Sequence, residues 1–411
     1  MTNALPAEGS FDSARLLSDR ATRVDLSGIR RVFRLAASLD DPINLSIGQP
    51  DFPVPEAIRR GAIEAIEQGA NGYTQTQGEP TLLRRVGEWL HTDLGWDSRP
   101  FGDEGPGPRH LITSGTSGAL QLLFQTLLEP GDECVIPDPY FVSYPHLATL
   151  TGGTAVVCDT YPDFRLTAER VEPLLTDRTK FVLLNTPSNP AGVVATKEDC
   201  QDLLDLCRSR GVLLVTDEIY DEFCYDEGLT DAARNRPALA RCASPARLDG
   251  AEDCVLLIRG FGKTYGCTGW RLGYAAGPRA VIEQMAKIQQ YTFVCAPAPL
   301  QAGVRACFDT DMSEHIAQYR ARRDLVVERL SPHVELAVPG GAFYAFFRVP
   351  ETLGISGTEF VERGLSHNLL TIPGGCFSRR DTHVRLSFAT QRHNLERGLD
   401  VIARLATGEL A

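Results

Sequence analysis

The chain has 411 residues, a length that predicts two or three domains rather than one small core. With 43% hydrophobic and 23% charged residues, its composition is that of an ordinary globular protein. The formal net charge of −12 disfavours nucleic acid and anionic membranes as partners, although one basic pocket can still hold a small phosphorylated molecule.

The cysteines and the first residues indicate a cytoplasmic protein. The 11 cysteines include no C-x-x-C pair and no metal-ligand spacing, so we expect reduced thiols and no metal. The first 20 residues are small and polar, so we expect a loose arm and no signal peptide. No apolar run approaches the roughly 18 residues needed to cross a bilayer.

The N-terminal part alternates helical periodicity with short apolar runs. A helix is predicted at residues 28–39 and a short strand at 43–47, and two prolines then keep loop 48–53 out of regular structure. Two amphipathic helices are predicted next, at residues 55–68 and 81–94.

The middle of the chain reads as a parallel sheet. Apolar runs separated by helical or turn segments are found at residues 110–112, 134–136, 154–158, 181–184, 212–215 and 254–258. They are continuous rather than alternating, as in strands that are buried on both faces. A run at 272–276 follows too closely for a crossover helix, so we expect an antiparallel neighbour. Residues 226–253 are predicted to form a surface excursion.

Pro297 and Pro299 break the chain after a helix predicted at residues 278–291, and we place the main domain boundary there. Beyond it we predict a helix at about 300–330, strands at 335–338, 343–347 and 384–388, and helices at 356–362 and 391–405. The predicted domains are an arm and part of the small domain (1–47), a large domain (48–297) and a C-terminal small domain (298–411).

Lys263 lies in a glycine-rich bend just after the strand predicted at residues 254–258. A desolvated lysine beside another cation loses its proton and can form an imine with a carbonyl. Arg271 can supply that cation and also bind a phosphate through its planar fork. Taken alone, the two residues are more simply explained as a surface lysine and a solvated arginine, so the case depends on the rest of the chain.

Two further candidates follow strands of the predicted sheet. Gly115, Thr116 and Ser117 open a helix, where backbone N–H groups and hydroxyls suit a phosphate or form a plain helix cap. Tyr140 or Phe141 can stack on a flat ring or simply pack in the core. Ligands of parallel sheets bind at the carboxyl ends of the strands, where these residues are predicted to lie.

Polar residues end two other strands. Asn189 offers a donor at a turn, and its bond to Pro190 is a candidate cis bond, although ordinary turn chemistry explains it as well. Asp217 can pair with a protonated ring nitrogen or with an internal cation. Tyr220 lies on the same side as Asp217 if a helix begins there. Arg385, within an apolar strand, is either a carboxylate receptor or part of an ion pair. Together these groups fit pyridoxal phosphate bound to an amino acid.

The motifs carrying the strongest signal are Gly-Phe-Gly-Lys263-Thr, Thr-Gly-Trp-Arg271-Leu-Gly, Asn-Thr-Pro-Ser-Asn189-Pro, Thr-Asp217-Glu-Ile-Tyr220 and Val-Arg385-Leu-Ser. With these motifs in this order, the chain resembles the class I/II aminotransferases of fold type I. The likeness extends from about Ser27 to the last helix. The likeness is greatest to the bacterial and archaeal aspartate and aromatic aminotransferases. It implies an α/β fold with a mostly parallel central sheet wrapped by helices, plus a smaller α+β domain.

By this resemblance, Lys263 would bond covalently to the cofactor and carry the proton of the substrate Cα. Asp217 would keep the pyridine nitrogen protonated, while Asn189 and Tyr220 would donate to the ring oxygen. Arg385 would bind the substrate α-carboxylate.

The remaining roles implied by the resemblance concern the cofactor's phosphate and ring. Arg271, with Gly115, Thr116 and Ser117, would hold the phosphate. Phe141 would cover the ring, and Gly48 would lie in the loop that closes over the substrate. Tyr73 would reach the phosphate in the neighbouring subunit, which implies a homodimer.

Two positions depart from the family pattern. Gly260 stands where relatives often have a phosphate-binding serine, and Phe141 stands where they often have tryptophan. The predicted function is transfer of an α-amino group from an aspartate-like, aromatic or alanine-like donor to a 2-oxo acid such as 2-oxoglutarate, by a ping-pong mechanism. The alternatives are a β-lyase, cyclase or synthase with the same cofactor, and a non-catalytic ligand-sensing protein.

Overall fold

A computed structural model describes residues 12–25, 28, 39–225 and 242–410. Nearly all of the helix predicted at residues 28–39 lies outside this part of the chain, as do much of the predicted arm and residues 226–241 of the predicted surface excursion.

The described helices include those predicted at residues 55–68, 81–94 and 278–291, with ends within one residue of the prediction. In chain order they are α1 (Asp19–Thr22), α2 (Glu56–Glu67), α3 (Pro80–Leu94), α4 (Gly115–Leu127), α5 (Ser143–Thr151), α6 (Ala168–Val171), α7 (Lys197–Arg210), α8 (Phe261–Thr264), α9 (Arg279–Thr292), α10 (Ala298–Val304), α11 (Ser313–Leu330), α12 (Gly357–Leu365) and α13 (Arg392–Ala406). Short 3-10 segments are Ser13–Leu16, Glu172–Leu174, Pro245–Arg247, Ala251–Asp253, Thr268–Trp270, Arg305–Asp309, Glu351–Leu353 and Gly374–Cys376.

The described strands form one large sheet and two small ones. They are β1 (Ile43–Asn44), β2 (Arg99–Pro100), β3 (Arg109–Thr113), β4 (Glu133–Asp138), β5 (Thr154–Asp159), β6 (Thr179–Asn185), β7 (Leu213–Asp217), β8 (Val255–Gly260), β9 (Gly273–Gly277), β10 (Tyr344–Arg348), β11 (Leu369–Leu370), β12 (Ile372–Pro373) and β13 (His383–Ser387). The large sheet has the order β2-β3-β9-β8-β7-β6-β4-β5.

Helices cover both faces of the large sheet. Alternate residues of β6 belong to different cores: Val182 packs with residues of α3 and α7, whereas Leu183 packs with residues of α4, α5 and α9. This double burial explains why the strands read as continuous apolar runs. The predicted mostly parallel sheet wrapped by helices is confirmed.

The carboxyl ends of the parallel strands meet at one edge of this sheet. Strand β9 is antiparallel to both of its neighbours, β3 and β8, as its short connection predicted. Because β9 runs the other way, its first residue lies at that same edge, where Gly273 pairs with Gly260 at the end of β8. Residues following β3, β4, β6, β7 and β8 and residues preceding β9 are therefore brought together.

A separate core lies under the smaller sheets. Strands β10, β13 and β12 form an antiparallel sheet in that order, and β1 pairs with β11 in parallel. Residues of α11, α12 and α13 pack in this core. Helix α10, in contrast, packs on α2, where Gly303 lies close to Ile58. The domain boundaries near residues 48 and 298 stay a prediction.

The helix predicted at about residues 300–330 is wrong, because α10 and α11 are separated by Arg305–Asp309 and the residues that follow. Asp311 accepts a hydrogen bond from the backbone N–H of Ser313 at 2.9 Å. Short polar side chains of this kind satisfy backbone groups outside a helix and so favour a break. Of the strands predicted at 335–338 and 343–347, only the second is a strand, β10.

Within the described residues, no helix is long and apolar enough to cross a membrane. The same residues contain no cluster of His, Cys, Asp and Glu that could hold a metal ion. All 11 cysteines lie in the described part of the chain, and none of them forms a disulfide.

Candidate active site

A cavity of about 270 Å³ opens at the carboxyl edge of the large sheet. Of the predicted site residues, those that line it are Gly48, Gly115, Thr116, Ser117, Phe141, Asn189, Asp217, Tyr220, Lys263, Arg271 and Arg385. Sequence reasoning gave no role to four polar side chains of the lining, Tyr144, Asn185, Thr268 and Tyr344.

Lys263 enters the cavity from α8, the short helix that begins directly after β8. Its Nζ donates to the carbonyl oxygen of Gly48 and makes no ion pair with any described residue. Burial, with smaller effects of Arg385 and Arg271, lowers the pKa of Lys263 to about 8. The predicted effect of Arg271 is thus present, but burial is the larger cause.

Asp217 ends β7 and is 3% exposed. Its Oδ2 accepts a hydrogen bond from the Tyr144 hydroxyl at 2.8 Å, and its backbone oxygen accepts one from the Asn185 side chain at 2.9 Å. Burial raises the pKa of Asp217 to about 6, because an ionised carboxylate loses hydration there and no described cation pairs with it. The carboxylate is therefore held in place by hydrogen bonds while no cation among the described residues pairs with it.

Tyr220 and Asn189 approach the cavity from turns. No helix begins at Tyr220, yet its side chain lies at the cavity with Asp217. The Asn189–Pro190 bond is cis, as the sequence suggested, and the backbone N–H of Asn189 donates to Asn185 Oδ1 at 2.8 Å.

The start of α4 and the start of β9 form an anion cradle. Gly115 has a φ of +69°, which favours glycine, and a Cβ there would come within 2.7 Å of Arg271 Nη2. Arg271 Nη2 also donates to Ser117 Oγ at 3.3 Å. The first N–H groups of α4 have no partner within the helix and, with this guanidinium, suit a phosphate.

The two departures from the family pattern have local explanations. A Cβ on Gly260 would come within 2.8 Å of Ile219 and 3.0 Å of Thr116, so a serine there would crowd the cradle. The ring of Phe141 packs edge-to-face on Tyr144, with ring centroids 5.6 Å apart. Phe141 thereby presents an aromatic surface to the cavity.

Arg385, in β13, is 2% exposed. Its Nη1 donates to Asn189 Oδ1 and its Nη2 to the backbone oxygen of Ser46, both at 2.9 Å. Its Nε is buried and makes no hydrogen bond, and no described carboxylate forms an ion pair with it. A buried guanidinium in this state is prepared for an anionic ligand.

Tyr73 does not line the cavity within one chain and is 87% exposed. Sequence reasoning placed it in a second subunit's site, so its role stays a prediction.

These residues fit pyridoxal phosphate. Lys263 can supply the amine for a covalent bond, the Gly115–Arg271 cradle suits the phosphate, and the Asp217 carboxylate can accept a hydrogen bond from a protonated ring nitrogen. Arg385, a buried guanidinium without an ion pair to any described carboxylate, lines the same cavity.

Comparison with known proteins gives the same result. The model of the family "Aminotransferase class I and II" matches residues 40–402. The chain is 34% identical to aromatic-amino-acid aminotransferase 2 of Thermococcus litoralis and 33% identical to the aspartate aminotransferase of Pyrococcus abyssi, covering 93% of this chain and 96% of each relative. The structure of Thermus thermophilus aspartate aminotransferase with maleate is 31% identical, with a TM-score of 0.85 over 95% of this chain and 99% of that one. This chain belongs to the class I and II aminotransferases, enzymes of fold type I that use pyridoxal phosphate.

Proposed function

We propose that this aminotransferase moves an α-amino group from an amino acid to a 2-oxo acid such as 2-oxoglutarate, in two half-reactions that use one cavity in turn. The observation that carries the proposal is Arg385, a buried guanidinium that forms no ion pair with a described carboxylate and lines the cavity of Lys263. Amino acids and 2-oxo acids share one anionic group, the carboxylate beside the reacting carbon. That carboxylate supplies the negatively charged partner that Arg385 lacks among the described residues.

Lys263 is the residue that moves the proton of the substrate Cα. Pyridoxal phosphate, when bound, withdraws electrons from the substrate Cα and so makes its proton easier to remove. With a pKa of about 8, the Lys263 amine is partly neutral near neutral pH and can take and return that proton. Burial keeps water away from the amine during the exchange.

Asp217 holds a proton at the ring nitrogen of the cofactor. A cation at that position lowers the pKa of Asp217 from its raised value, so the carboxylate stays ionised when the site is loaded. Tyr144 fixes the orientation of the carboxylate through its 2.8 Å hydrogen bond. Tyr220 and Asn189 donate to the ring oxygen.

The other cavity residues fix the position of the ligands. Gly115, Thr116, Ser117 and Arg271 hold the phosphate, and Phe141 covers the ring. Gly48 lies in the loop that closes over the substrate, with its carbonyl oxygen already hydrogen-bonded to Lys263.

The amino donor need not carry a second carboxylate. The cations among the lining residues are Lys263, Arg271 and Arg385, and each already has a role. We therefore propose that aspartate, aromatic and alanine-like donors are all candidates. Relatives named as aspartate and as aromatic-amino-acid aminotransferases support this range.

We also propose a homodimer in which Tyr73 reaches the phosphate of the cofactor in the neighbouring subunit. Its exposed side chain supports this, because a ring that is 87% exposed in one chain is free to enter another. Sedimentation of the loaded enzyme should give a dimer, and an active monomer would contradict the proposal. The 11 cysteines without disulfides fit a reducing compartment, so we propose a cytoplasmic location.

The test is an absorption spectrum of the purified protein with pyridoxal phosphate, followed by single amino acids. We expect a visible band that one group of donors bleaches, with glutamate formed when 2-oxoglutarate is then added. Release of ammonia and pyruvate instead would show a lyase.

Lys263→Ala is the matched control for this spectrum. We expect this variant to fold and to lose activity by at least about 10⁴-fold, because it removes both the covalent bond and the base. Full activity in the variant would overturn the assignment of Lys263.

A further inference from the structure

Tyr344, at the start of β10, lies in the cavity without a role so far. Its side chain is buried, with 1% of the residue exposed, and its hydroxyl is 2.9 Å from the hydroxyl of Tyr220. A Cβ on Gly48 would come within 2.6 Å of the Tyr344 hydroxyl, so this hydroxyl also lies against the loop that contains Gly48. One side chain thus contacts parts of the site that belong to different segments of the chain.

The ring of Tyr344 lies against the guanidinium of Arg385. The carbon at the centre of that guanidinium is 4.5 Å from the ring centroid of Tyr344 and 4.6 Å from that of Phe377. Aromatic rings at this distance attract a cation and restrict its rotation. Together with the acceptors Asn189 and Ser46, the rings fix the fork that receives the substrate carboxylate.

The hydroxyl of Tyr344 acts on Tyr220 in a defined direction. A tyrosine hydroxyl has one proton to donate. If Tyr220 donates that proton to the cofactor's ring oxygen, it can only accept from Tyr344, so Tyr344 is the donor in the bond between them. A hydroxyl that accepts a hydrogen bond becomes a stronger donor, because chains of hydrogen bonds polarise one another.

We propose that Tyr344 is a positioning residue that couples the substrate-carboxylate site to the cofactor site. Its ring orients Arg385, and its hydroxyl orients and polarises Tyr220. The inference rests on the proposed function, because it takes the roles of Arg385 and Tyr220 from there.

Other charged and titratable groups also face this position, and the experiment must separate their effects from that of Tyr344. Those that line the cavity are Lys263 from α8, Asp217 from β7, Tyr144 from α5, Arg271 before β9, Arg385 from β13 and Tyr220. Substitutions at Tyr344 and Phe377 leave all of them in place.

The experiment compares Tyr344→Phe with Phe377→Leu as the matched control. The first variant keeps a ring beside Arg385 and loses the bond to Tyr220, whereas the second weakens the ring contact and leaves Tyr220 alone. Two quantities are measured on protein loaded with pyridoxal phosphate. They are the midpoint pH of the visible absorption band without substrate, and the Kd of succinate, a carboxylate without an amino group.

In Tyr344→Phe we expect the midpoint to rise by on the order of half a pH unit, because a weaker donor stabilises the deprotonated form less. The Kd of succinate should change by less than about twofold. In Phe377→Leu the Kd should rise by roughly fivefold with the midpoint unchanged. In a Tyr220→Phe background, Tyr344→Phe should produce no further shift of the midpoint.

The inference is overturned if Tyr344→Phe keeps the wild-type midpoint, or if Phe377→Leu moves the midpoint equally. A persisting shift in the Tyr220→Phe background also overturns it, since the effect would then bypass Tyr220. Failure of the proposed function looks different: the wild-type protein would then show no visible band with pyridoxal phosphate.

Discussion

Two groups of buried charges lie near the same edge of the large sheet, and they differ in whether the charges are paired. In the first, which we term the Arg259 cluster, Arg259 lies 2.7 Å from Asp93, 2.9 Å from Glu218 and 3.4 Å from Asp221. Arg247 completes the cluster at 2.9 Å from Asp93. Burial alone would raise the pKa of Asp93, but the two arginines hold it below its ordinary value.

In the second group, Lys263, Asp217 and Arg385 form no ion pair with any described residue. Lys263 and Asp217 respond to burial with shifted pKa values of about 8 and about 6. Neighbouring residues 217 and 218 thus belong to opposite groups: the Asp217 carboxylate lies at the cavity, whereas Glu218 pairs with Arg259. Burying charge without a partner opposes folding, which supports our proposal that the second group is a receptor for ligand charges.

The first prediction breaks the paired group. Arg259→Met should lower the free energy of unfolding by about 3–5 kcal/mol, because three carboxylates then lose their main partner in the interior. Urea denaturation of the protein without cofactor measures the change. A loss below about 1 kcal/mol would mean that the Arg259 cluster does not stabilise the fold.

We term the second group, Lys263, Asp217 and Arg385, the receptor group. An arginine-to-methionine substitution in this group should lower activity more than stability. Arg385→Met should lower kcat/KM by about 10²–10³-fold, as expected when one side of a buried charged contact is removed. The free energy of unfolding should fall by less than in Arg259→Met, because two hydrogen bonds are lost but no described ion pair is broken and the cost of burying the guanidinium is removed. A variant that loses stability while keeping kcat/KM would reverse the comparison.

The unpaired lysine should make stability depend on pH in the protein without cofactor. The folded state holds the Lys263 proton less tightly than the unfolded state, whose lysine has its ordinary pKa of about 10.4. Stability should therefore rise by on the order of 1–3 kcal/mol between pH 8 and about 10.4, and it should be lost as pH falls through 8. Urea denaturation at several pH values should show this rise in wild type and not in Lys263→Met.

The smallest expected effect concerns the hydrogen bond that orients Asp217. Tyr144→Phe should lower kcat/KM by roughly 3–10-fold, the effect of one hydrogen bond to a charged group. Tyr225→Phe is the matched control, because its hydroxyl donates to Ala342 O at 2.6 Å, outside the cavity. Steady-state kinetics of both variants should separate them, and equal losses would show that Tyr144 acts through packing alone.

The receptor group could largely be predicted from sequence, for a physical reason. Lys263, Asp217 and Asn189 each follow an apolar strand, and parallel strands bring their carboxyl ends to one edge, so positions along the chain specify proximity in space. Arg385 was identified because a guanidinium within an apolar strand requires an explanation.

The paired group and the supporting residues could not be predicted in this way. Asp93 and Arg259 are 166 residues apart, and no local pattern marks Asp93 on α3 as a buried partner. Tyr344 comes from a strand of the other core and meets Tyr220 across 124 residues. One available signal was overlooked: Arg259 extends the apolar run of β8, as Arg385 does in β13.

Because strand β9 is the antiparallel neighbour of β8, the large sheet fixes the distance between Lys263 and the anion cradle. Gly260 and Gly273 are paired across β8 and β9, so the segment between them is closed at both ends and holds Lys263 and Arg271 at a fixed separation. One inserted residue would lengthen this segment by up to about 3.3 Å and move the amine relative to the anion cradle. We therefore expect the site to select a ligand by the distance between its carbonyl carbon and its phosphate as well as by charge.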